Sequence, residues 1–241
     1  MQIVCHRGAS AYAPETTFAS AQRCVAWGVS YIEVDVSCSR DGVLYLLHGP
    51  ELERTTNGHG YVHNRDVAYL DTLDAGSWFA PEFAGQPLPR LSAFLSWLRG
   101  KAEVFLDVKS GDPEAVLAVL AETGMKDQCF LWSRSTAWLR RLRDLSSEIP
   151  IKVNVRSPKD VRRAKETLDA SIVETTIPNA TPELLSAARD LEMKVMIIES
   201  SRSREAFRRV LELGVEMINL DHADIFLEVE RYFRRGEVEA Q

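Results

Sequence analysis

The stretch YIEVDVSC, residues 31–38, carries two carboxylates, Glu33 and Asp35, at alternate positions of a segment that is otherwise typical of a buried β-strand. Side chains two positions apart on a strand point to the same face of the sheet. The isoleucine and valines that alternate with the acids therefore cover one face, and the acids share the other. Two like charges in a protein interior are costly unless a positive group lies between them. The stretch predicts a strand whose polar face contacts a cation.

The composition is that of an ordinary globular protein, with 241 residues, 45% of them apolar and 27% charged, and a net charge of −6. Lys and Arg are spread along the chain and form no basic stripe, so nucleic-acid binding is not expected. No apolar run approaches the roughly 20 residues of a membrane span, so stable membrane insertion is not expected. The chain starts MQIVCHRG without a signal-peptide pattern, which predicts a cytoplasmic protein. No pattern specifies an oligomeric state.

Short apolar strands alternate with helical patterns along the chain. Eight strands are predicted, at 2–5, 31–36, 103–108, 128–132, 151–155, 171–174, 194–198 and 216–220. Helices are predicted between most of them, at 15–27, 113–123, 135–146, 158–168, 181–191 and 203–213. This alternation indicates an α/β fold, a single (β/α)8 TIM barrel that forms one domain over residues 1–241. A doubly wound sheet is the alternative, but no Gly-rich phosphate loop follows the first strand.

One segment interrupts the alternation of strands and helices. Asp41-Gly42 is a tight-turn signal, so the strand at 43–47 is expected to fold back and lie beside the barrel. Residues 49–90 then form an excursion rich in Gly, Pro and aromatic residues. We interpret it as a small insertion after the second barrel strand. Loops that follow barrel strands open on the catalytic face, so the insertion is expected to wall a site.

A second strand repeats the pattern of alternating charge. In FLDVK, residues 105–109, Asp107 and Lys109 share one face. Three carboxylates, Glu33, Asp35 and Asp107, would thus converge inside one end of the barrel. Such a cluster is best explained by a hard divalent cation with oxygen ligands, Mg²⁺ or Ca²⁺. Structural salt bridges with barrel Lys or Arg residues are the alternative for each acid taken alone.

Two histidines and two cations lie at neighbouring strand ends. His6 ends the first strand and His48 ends the returning strand, while Arg7 and Lys109 suit phosphate oxygens. Imidazoles with pKa values near neutral can act as general base and general acid on opposite sides of phosphorus. Either histidine alone is more typical of a structural residue. Together with the acids, they favour metal-assisted phosphodiester cleavage.

Three stretches resemble the glycerophosphodiester phosphodiesterase family: HRGASAYAPETT (6–17), the segment from YIEVDV to RTTNGHG (31–60) and DAGSWFAPEFAGQPLP (74–89). The family pattern is HRG…PENT, then E-x-D-V, a D-G turn, and H-D with R-T-T-x-G. The resemblance is dense over residues 3–110 and thin afterwards. It implies a TIM barrel that hydrolyses glycerophosphodiesters to glycerol 3-phosphate and an alcohol. It implies His6 and His48 as the acid/base pair, Glu33, Asp35 and Asp107 as metal ligands, and Arg7 as a phosphate ligand.

The first half of the chain departs from the family pattern at three positions. PETT replaces PENT, so Thr16 follows Glu15 where Asn is usual, and Gly49 replaces the Asp after His48. Asp107 stands where the family has Glu in an E-x-K strand. The related sphingomyelinase D group has Asp at this position, so the resemblance still implies metal binding. Glu15 is expected to support the site.

The later strands depart further from the family. Met196 stands near the place of a Trp and Glu199 near that of an Asn, whereas Asp221 is retained. Met196 and Glu199 are therefore expected to alter specificity. Two other functions remain open, a sphingomyelinase D-like lyase that gives a cyclic phosphate and a barrel that binds a phosphodiester without cleaving it.

Overall fold

The structure is a computed structural model that describes residues 1–236. Its strands are β1 Gln2–Cys5, β2 Tyr31–Cys38, β3 Leu44–Leu46, β4 Glu103–Val108, β5 Cys129–Trp132, β6 Lys152–Asn154, β7 Ile172–Thr175, β8 Lys194–Glu199 and β9 Met217–Leu220. Its α-helices are α1 Phe18–Trp27, α2 Val67–Leu70, α3 Leu91–Leu98, α4 Pro113–Thr123, α5 Thr136–Leu145, α6 Pro158–Leu168, α7 Pro182–Asp190, α8 Arg204–Leu213 and α9 Ala223–Arg235. Short 3₁₀-helices occupy Val62–Asn64, Pro81–Phe83, Lys126–Gln128 and Ile177–Asn179.

Eight parallel strands form a barrel in the order β5-β4-β2-β1-β9-β8-β7-β6. A parallel bridge between Leu131 and Ile151 joins the two ends of this order, and the Leu131 N–H donates to the Pro150 carbonyl at 3.0 Å. The sheet thus closes on itself, which confirms the TIM barrel and excludes the doubly wound sheet. No helix in residues 1–236 has the length and apolar character to cross a bilayer.

The alternation of β2 separates two apolar layers. Ile32, Val34 and Val36 belong to the large core between the strands and the surrounding helices. Inside the barrel, Phe105 and Phe130 stack with ring centroids 4.4 Å apart. The side chains that fill this inner layer are Val4, Tyr31, Phe105, Phe130, Ile172, Met196 and Met217. This apolar layer fills the barrel interior below the mouth. The charged side chains of β2 and β4, such as Asp35 and Asp107, lie above it, near the carboxyl ends of the strands.

The insertion at 49–90 has its own small core. β3 runs antiparallel to β2, as predicted, and its Tyr45 is fully buried with Leu52, Val62 and Leu70 of the insertion. The Asp74 carboxylate accepts N–H groups of Gly76, Ser77 and Gly85 at 2.7–3.0 Å. These contacts hold a long loop in a defined shape beside the barrel mouth.

Three α-helices of residues 1–236 were not predicted, the one-turn helix α2 within the insertion, α3 and α9, and one predicted boundary is wrong. The predicted helix 15–27 begins only at Phe18, because Thr16 has a φ of 53° and Thr17 is the N-cap, with a reciprocal capping box to Ser20. Helix α3 was missed because its sequence, LSAFLSWL, is apolar on most sides and directly follows the insertion. Helix α9 was missed although its sequence is amphipathic.

Candidate active site

Three carboxylates meet at the carboxyl ends of β2 and β4. Asp35 is the direct neighbour of Asp107 in the parallel register, and Glu33 lies two positions earlier on β2. One oxygen from each of the three acids lies within 4.8 Å of the others. Glu33 and Asp35 are each 1% exposed, so the acids face the barrel interior. The predicted convergence of the three carboxylates is therefore present.

The electrostatics of this cluster favour a cation. Burial and the nearby charge of Asp35 raise the pKa of Glu33 well above its usual range. Burial also raises the pKa values of Asp35 and Asp107, although Lys109 opposes the shift. Oδ2 of Asp35 and Oδ1 of Asp107 are buried without a hydrogen-bond partner. An all-oxygen donor set with free lone pairs fits a hard divalent cation such as Mg²⁺ or Ca²⁺.

Two cationic side chains also reach the acids. Nζ of Lys109 bridges the aspartates, at 2.9 Å from Oδ1 of Asp35 and 2.5 Å from Oδ2 of Asp107. Nε of Arg7 lies 3.4 Å from Oδ2 of Asp35. Within the described residues, Glu33 has no ion pair; its Oε2 accepts the backbone N–H of Arg7 at 2.6 Å. Asp35 and Asp107 thus form the salt bridges that were the alternative to a metal site, whereas Glu33 has no cationic partner among the described residues.

The HRG turn after β1 places Arg7 in the site. Arg7 and Gly8 both have left-handed backbone conformations, with φ of 57° and 73°. A Cβ at Gly8 would lie 2.5 Å from Oγ of Ser20, so no other residue fits without movement of α1. This turn directs the Arg7 N–H to Glu33 and its guanidinium to Asp35.

Glu15 lies behind the site and fixes two arginines. Its carboxylate accepts from Arg54 at 2.6 and 3.1 Å and lies 3.5 Å from Nη1 of Arg7. Arg54 also donates to the His48 carbonyl at 3.0 Å. Glu15 therefore links the loop after β1 to the loop that carries His48. Arg54, which sequence reasoning did not single out, belongs to the ERTTNG motif.

The two histidines have different environments. Nδ1 of His6 lies 2.8 Å from Oδ1 of Asp221 at the end of β9. Burial alone would lower the pKa of His6, but the hydrogen bond to Asp221 and the charge of Glu33 raise it to about 9. Burial and the charges of Arg7 and Lys109 lower the pKa of His48 to about 4. His6 is therefore the imidazole that holds a proton more strongly.

Two departures from the family pattern involve left-handed backbone. Thr16 has a φ of 53°, a conformation that Asn adopts more readily than a β-branched residue. Gly49 has a φ of 89°, a conformation that glycine adopts at less steric cost than Asp. The Gly49 substitution is thus matched to the backbone after His48, whereas Thr16 is strained.

Met196 and Glu199, which are expected to alter specificity, line neither of two cavities at the barrel mouth. Met196 is fully buried in the apolar layer inside the barrel, one layer below the mouth. Ile198, two positions further along β8, lines the cavity at the mouth instead. Glu199 pairs in register with the outward-facing Leu220, and its Oε1 accepts the Ser201 N–H at 2.8 Å. An effect of Met196 or Glu199 on specificity therefore stays a prediction, and it would act through neighbouring residues.

A cavity of about 370 Å³ lies beside His48 and Lys109. Trp132 and Arg134 also line it, together with Val62 and His63 of the insertion. The insertion thus walls the site, as predicted. Trp132 could have been found from the alternation of β5, since Phe130 two positions earlier faces the barrel interior.

The fold and the site define a TIM-barrel enzyme of the phosphoric diester hydrolase class. The chain belongs to the glycerophosphoryl diester phosphodiesterase family, whose model matches residues 6–225.

Individual relatives agree with this assignment. The crystal structure of glycerophosphodiester phosphodiesterase from Agrobacterium tumefaciens strain C58 superposes with a TM-score of 0.90 at 37% identity, over 94% of this chain and 98% of that one. A phosphodiesterase from Oleispira antarctica has been solved in complex with the product sn-glycerol-3-phosphate. It superposes with a TM-score of 0.88 over 96% of this chain and 97% of that one. Its sequence identity is 24%, so it supports the fold alone. A glycerophosphodiester phosphodiesterase of Bacillus subtilis strain 168 is 26% identical over 95% of this chain and 86% of its own length.

Proposed function

We propose that the protein is a divalent-metal-dependent glycerophosphodiester phosphodiesterase that releases glycerol 3-phosphate and an alcohol. The observation that carries the proposal is the cluster of Glu33, Asp35 and Asp107, which lies close to His6 and His48 at one end of the barrel. The names of the Agrobacterium and Bacillus relatives support the substrate class.

The three carboxylates would hold the cation, because they are the buried oxygen donors that lack sufficient positive partners. When bound, a divalent cation polarises a phosphoryl oxygen and offsets the negative charge of the phosphate. Arg7 and Lys109 flank the same acids, and their side chains are 23% and 26% exposed. They would bind the remaining phosphate oxygens by charge-assisted hydrogen bonds.

The two imidazoles would move protons on the two sides of phosphorus. The charge of Glu33 is one cause of the high pKa of His6 in the free protein, so a cation held by Glu33 would lower this pKa and favour the neutral ring. Because Asp221 occupies Nδ1 of His6, Nε2 of the neutral ring would then take a proton from the attacking hydroxyl or water. The Asp221 carboxylate then stabilises the imidazolium that forms. The attacking oxygen belongs either to water or to a neighbouring hydroxyl of the substrate.

His48 would protonate the leaving alkoxide, since its side chain lines the cavity of about 370 Å³ that can receive an alcohol. Arg7 and Lys109 lower the pKa of His48 in the free protein. An anionic phosphate between these cations offsets their charge, so substrate binding raises the pKa of His48 toward the range of a general acid.

Phosphorus NMR of a reaction with glycerophosphoethanolamine tests the proposal. With added Mg²⁺ or Ca²⁺, the signal of glycerol 3-phosphate should grow, and a chelator should stop its growth. A persistent cyclic phosphate would instead identify the lyase reaction of the sphingomyelinase D type. No turnover of any glycerophosphodiester with either metal would overturn the proposal and favour a binding function.

A further inference from the structure

The cavity beside His48 is lined by cationic side chains and, among the described residues, by no acidic ones. Its lining includes the ammonium of Lys109, the guanidinium of Arg134 and the imidazoles of His48 and His63. No residue in the lining is an Asp or a Glu. A positively charged ligand in this cavity would therefore meet like charges and no carboxylate.

The aromatic wall of the cavity is already in contact with cations. The ring centroid of Trp132 lies 5.6 Å from Nζ of Lys109 and 4.6 Å from Nζ of Lys152. Lys152 is held in place by Glu174 at 2.6 Å, inside the barrel. Trp132 thus already makes cation–π contacts with two protein ammonium groups, and a substrate ammonium would be repelled by both.

Arg134 is the cation of this cavity without a protein partner. It follows β5, is exposed, and makes no ion pair with any of residues 1–236. Lys109, in contrast, bridges Asp35 and Asp107. A guanidinium presents a planar fork of N–H donors that fits a carboxylate or phosphate group of a ligand.

A second cavity at the barrel mouth suits the other half of the substrate. It has a volume of about 460 Å³ and lies at the carboxyl ends of β6, β7 and β8. Its lining includes the amides of Asn154 and Asn179 and the hydroxyl of Thr176, which match the hydroxyls of glycerol. Its two acids already have partners, since Glu174 pairs with Lys152 and Asp160 accepts the N–H of Arg156, a third charged residue of the lining. The cavity beside His48 has apolar walls from Pro50, Val62 and Trp132. The alcohol chain therefore fits the cavity beside His48.

On the basis of the proposed function, we propose that the cavity beside His48 is a leaving-group subsite that selects alcohols carrying an anionic group, with Arg134 as the specificity-determining residue. A carboxylate or phosphate on the alcohol pairs with the Arg134 guanidinium. An alcohol whose only charge is an ammonium gains no such contact and is repelled by Lys109 and Arg134.

The test compares glycerophosphoserine with glycerophosphoethanolamine, because the two alcohols differ only in one carboxylate. The wild-type kcat/KM for the serine substrate should exceed that for the ethanolamine substrate by about fivefold, as expected for one ion pair at an exposed position. Arg134→Gln should bring the ratio close to one, mainly by lowering kcat/KM for the serine substrate. Arg23→Gln, an exposed arginine on α1 outside the cavity, should leave the ratio unchanged.

Each other outcome has a distinct meaning. A wild-type ratio of one or below overturns the anionic subsite while the proposed hydrolase activity stands. A ratio that survives in Arg134→Gln refutes the role of Arg134. Failure to hydrolyse either substrate, with the protein folded and metal present, overturns the proposed function and the subsite with it.

Discussion

Nδ1 of His6 lies 2.8 Å from Oδ1 of Asp221, although 215 positions separate the two residues in the chain. The contact exists because β1 and β9, the first and last barrel strands, are parallel neighbours, with Cys5 opposite Leu220. Each residue directly follows its strand. Barrel closure therefore places a carboxylate beside an imidazole of the site.

Asp221→Asn should lower kcat about 100-fold, the lower end of what a positioned acid or base contributes. Asparagine preserves the shape of the side chain but cannot stabilise a positive imidazole. Because Asp221 raises the pKa of His6, the variant should titrate the His6 ring at lower pH in proton NMR spectra. Metal affinity should stay unchanged. Asp224→Asn, which removes the anionic partner of the Tyr12 hydroxyl, is the control; wild-type kcat in Asp221→Asn would contradict the assignment.

The two histidines should respond differently to the leaving group. Replacing His48 with Ala should reduce hydrolysis of an alkyl diester about 100-fold or more, because the departing alkoxide needs a proton. A p-nitrophenyl diester leaves without protonation, so its hydrolysis should be largely retained. His6→Ala should lose both activities. If His48→Ala lost both equally, His48 would not be the general acid.

Asp107→Asn should weaken Mg²⁺ or Ca²⁺ binding by about tenfold or more, since even residues behind the direct ligands change metal affinity by 10–100-fold. Saturating metal should raise the Tm of the wild type, because a ligand at 100 times its Kd stabilises the folded state by about 2.7 kcal/mol. Thermal melts across a metal titration measure both effects. Asp112→Asn, an exposed acid at the N-cap of α4, should behave like the wild type. A metal-independent Tm in the wild type would refute the site.

Gly8→Ala should destabilise the protein more than Gly28→Ala, although the two glycines have nearly the same φ, 73° and 70°. Left-handed backbone strain of about 1 kcal/mol is common to both substitutions. Only at Gly8 would the new Cβ meet Ser20, which adds about 1–3 kcal/mol of overpacking. Urea denaturation of the pair isolates this clash. Equal free energies of unfolding would show that α1 shifts without cost.

The loop around Asp74 should lose its order in acid. Burial would raise the pKa of Asp74, but the N–H groups of Gly85, Gly76 and Ser77 lower it below its usual range. The anion is therefore stabilised in the folded loop, and this contribution is complete above the unfolded pKa and is lost as pH falls through the folded value. Hydrogen exchange at the Gly85 amide should show protection that declines only below about pH 4. In Asp74→Asn, protection should be low at neutral pH already.

Local alternation was enough to predict much of this protein. Period-two patterns marked all eight barrel strands to within about one or two residues at their ends. The same periodicity put Glu33 with Asp35, and Asp107 with Lys109, on polar faces, because side-chain direction on a strand depends only on position parity. The HRG and RTTNG motifs added the family, since their spacing is local as well.

The register between strands that are distant in the chain decided which side chains reach the barrel mouth and which of them touch. Whether an inward residue of β8 reaches the mouth depends on how the strands are staggered, and the stagger leaves Met196 in the buried layer and Ile198 at the mouth. The bridge of Lys109 between Asp35 and Asp107 likewise follows from the pairing of β2 with β4. The sequence thus determined which groups the site could use. Barrel closure determined which of them touch, because contacts between distant strands depend on a register that no single strand encodes.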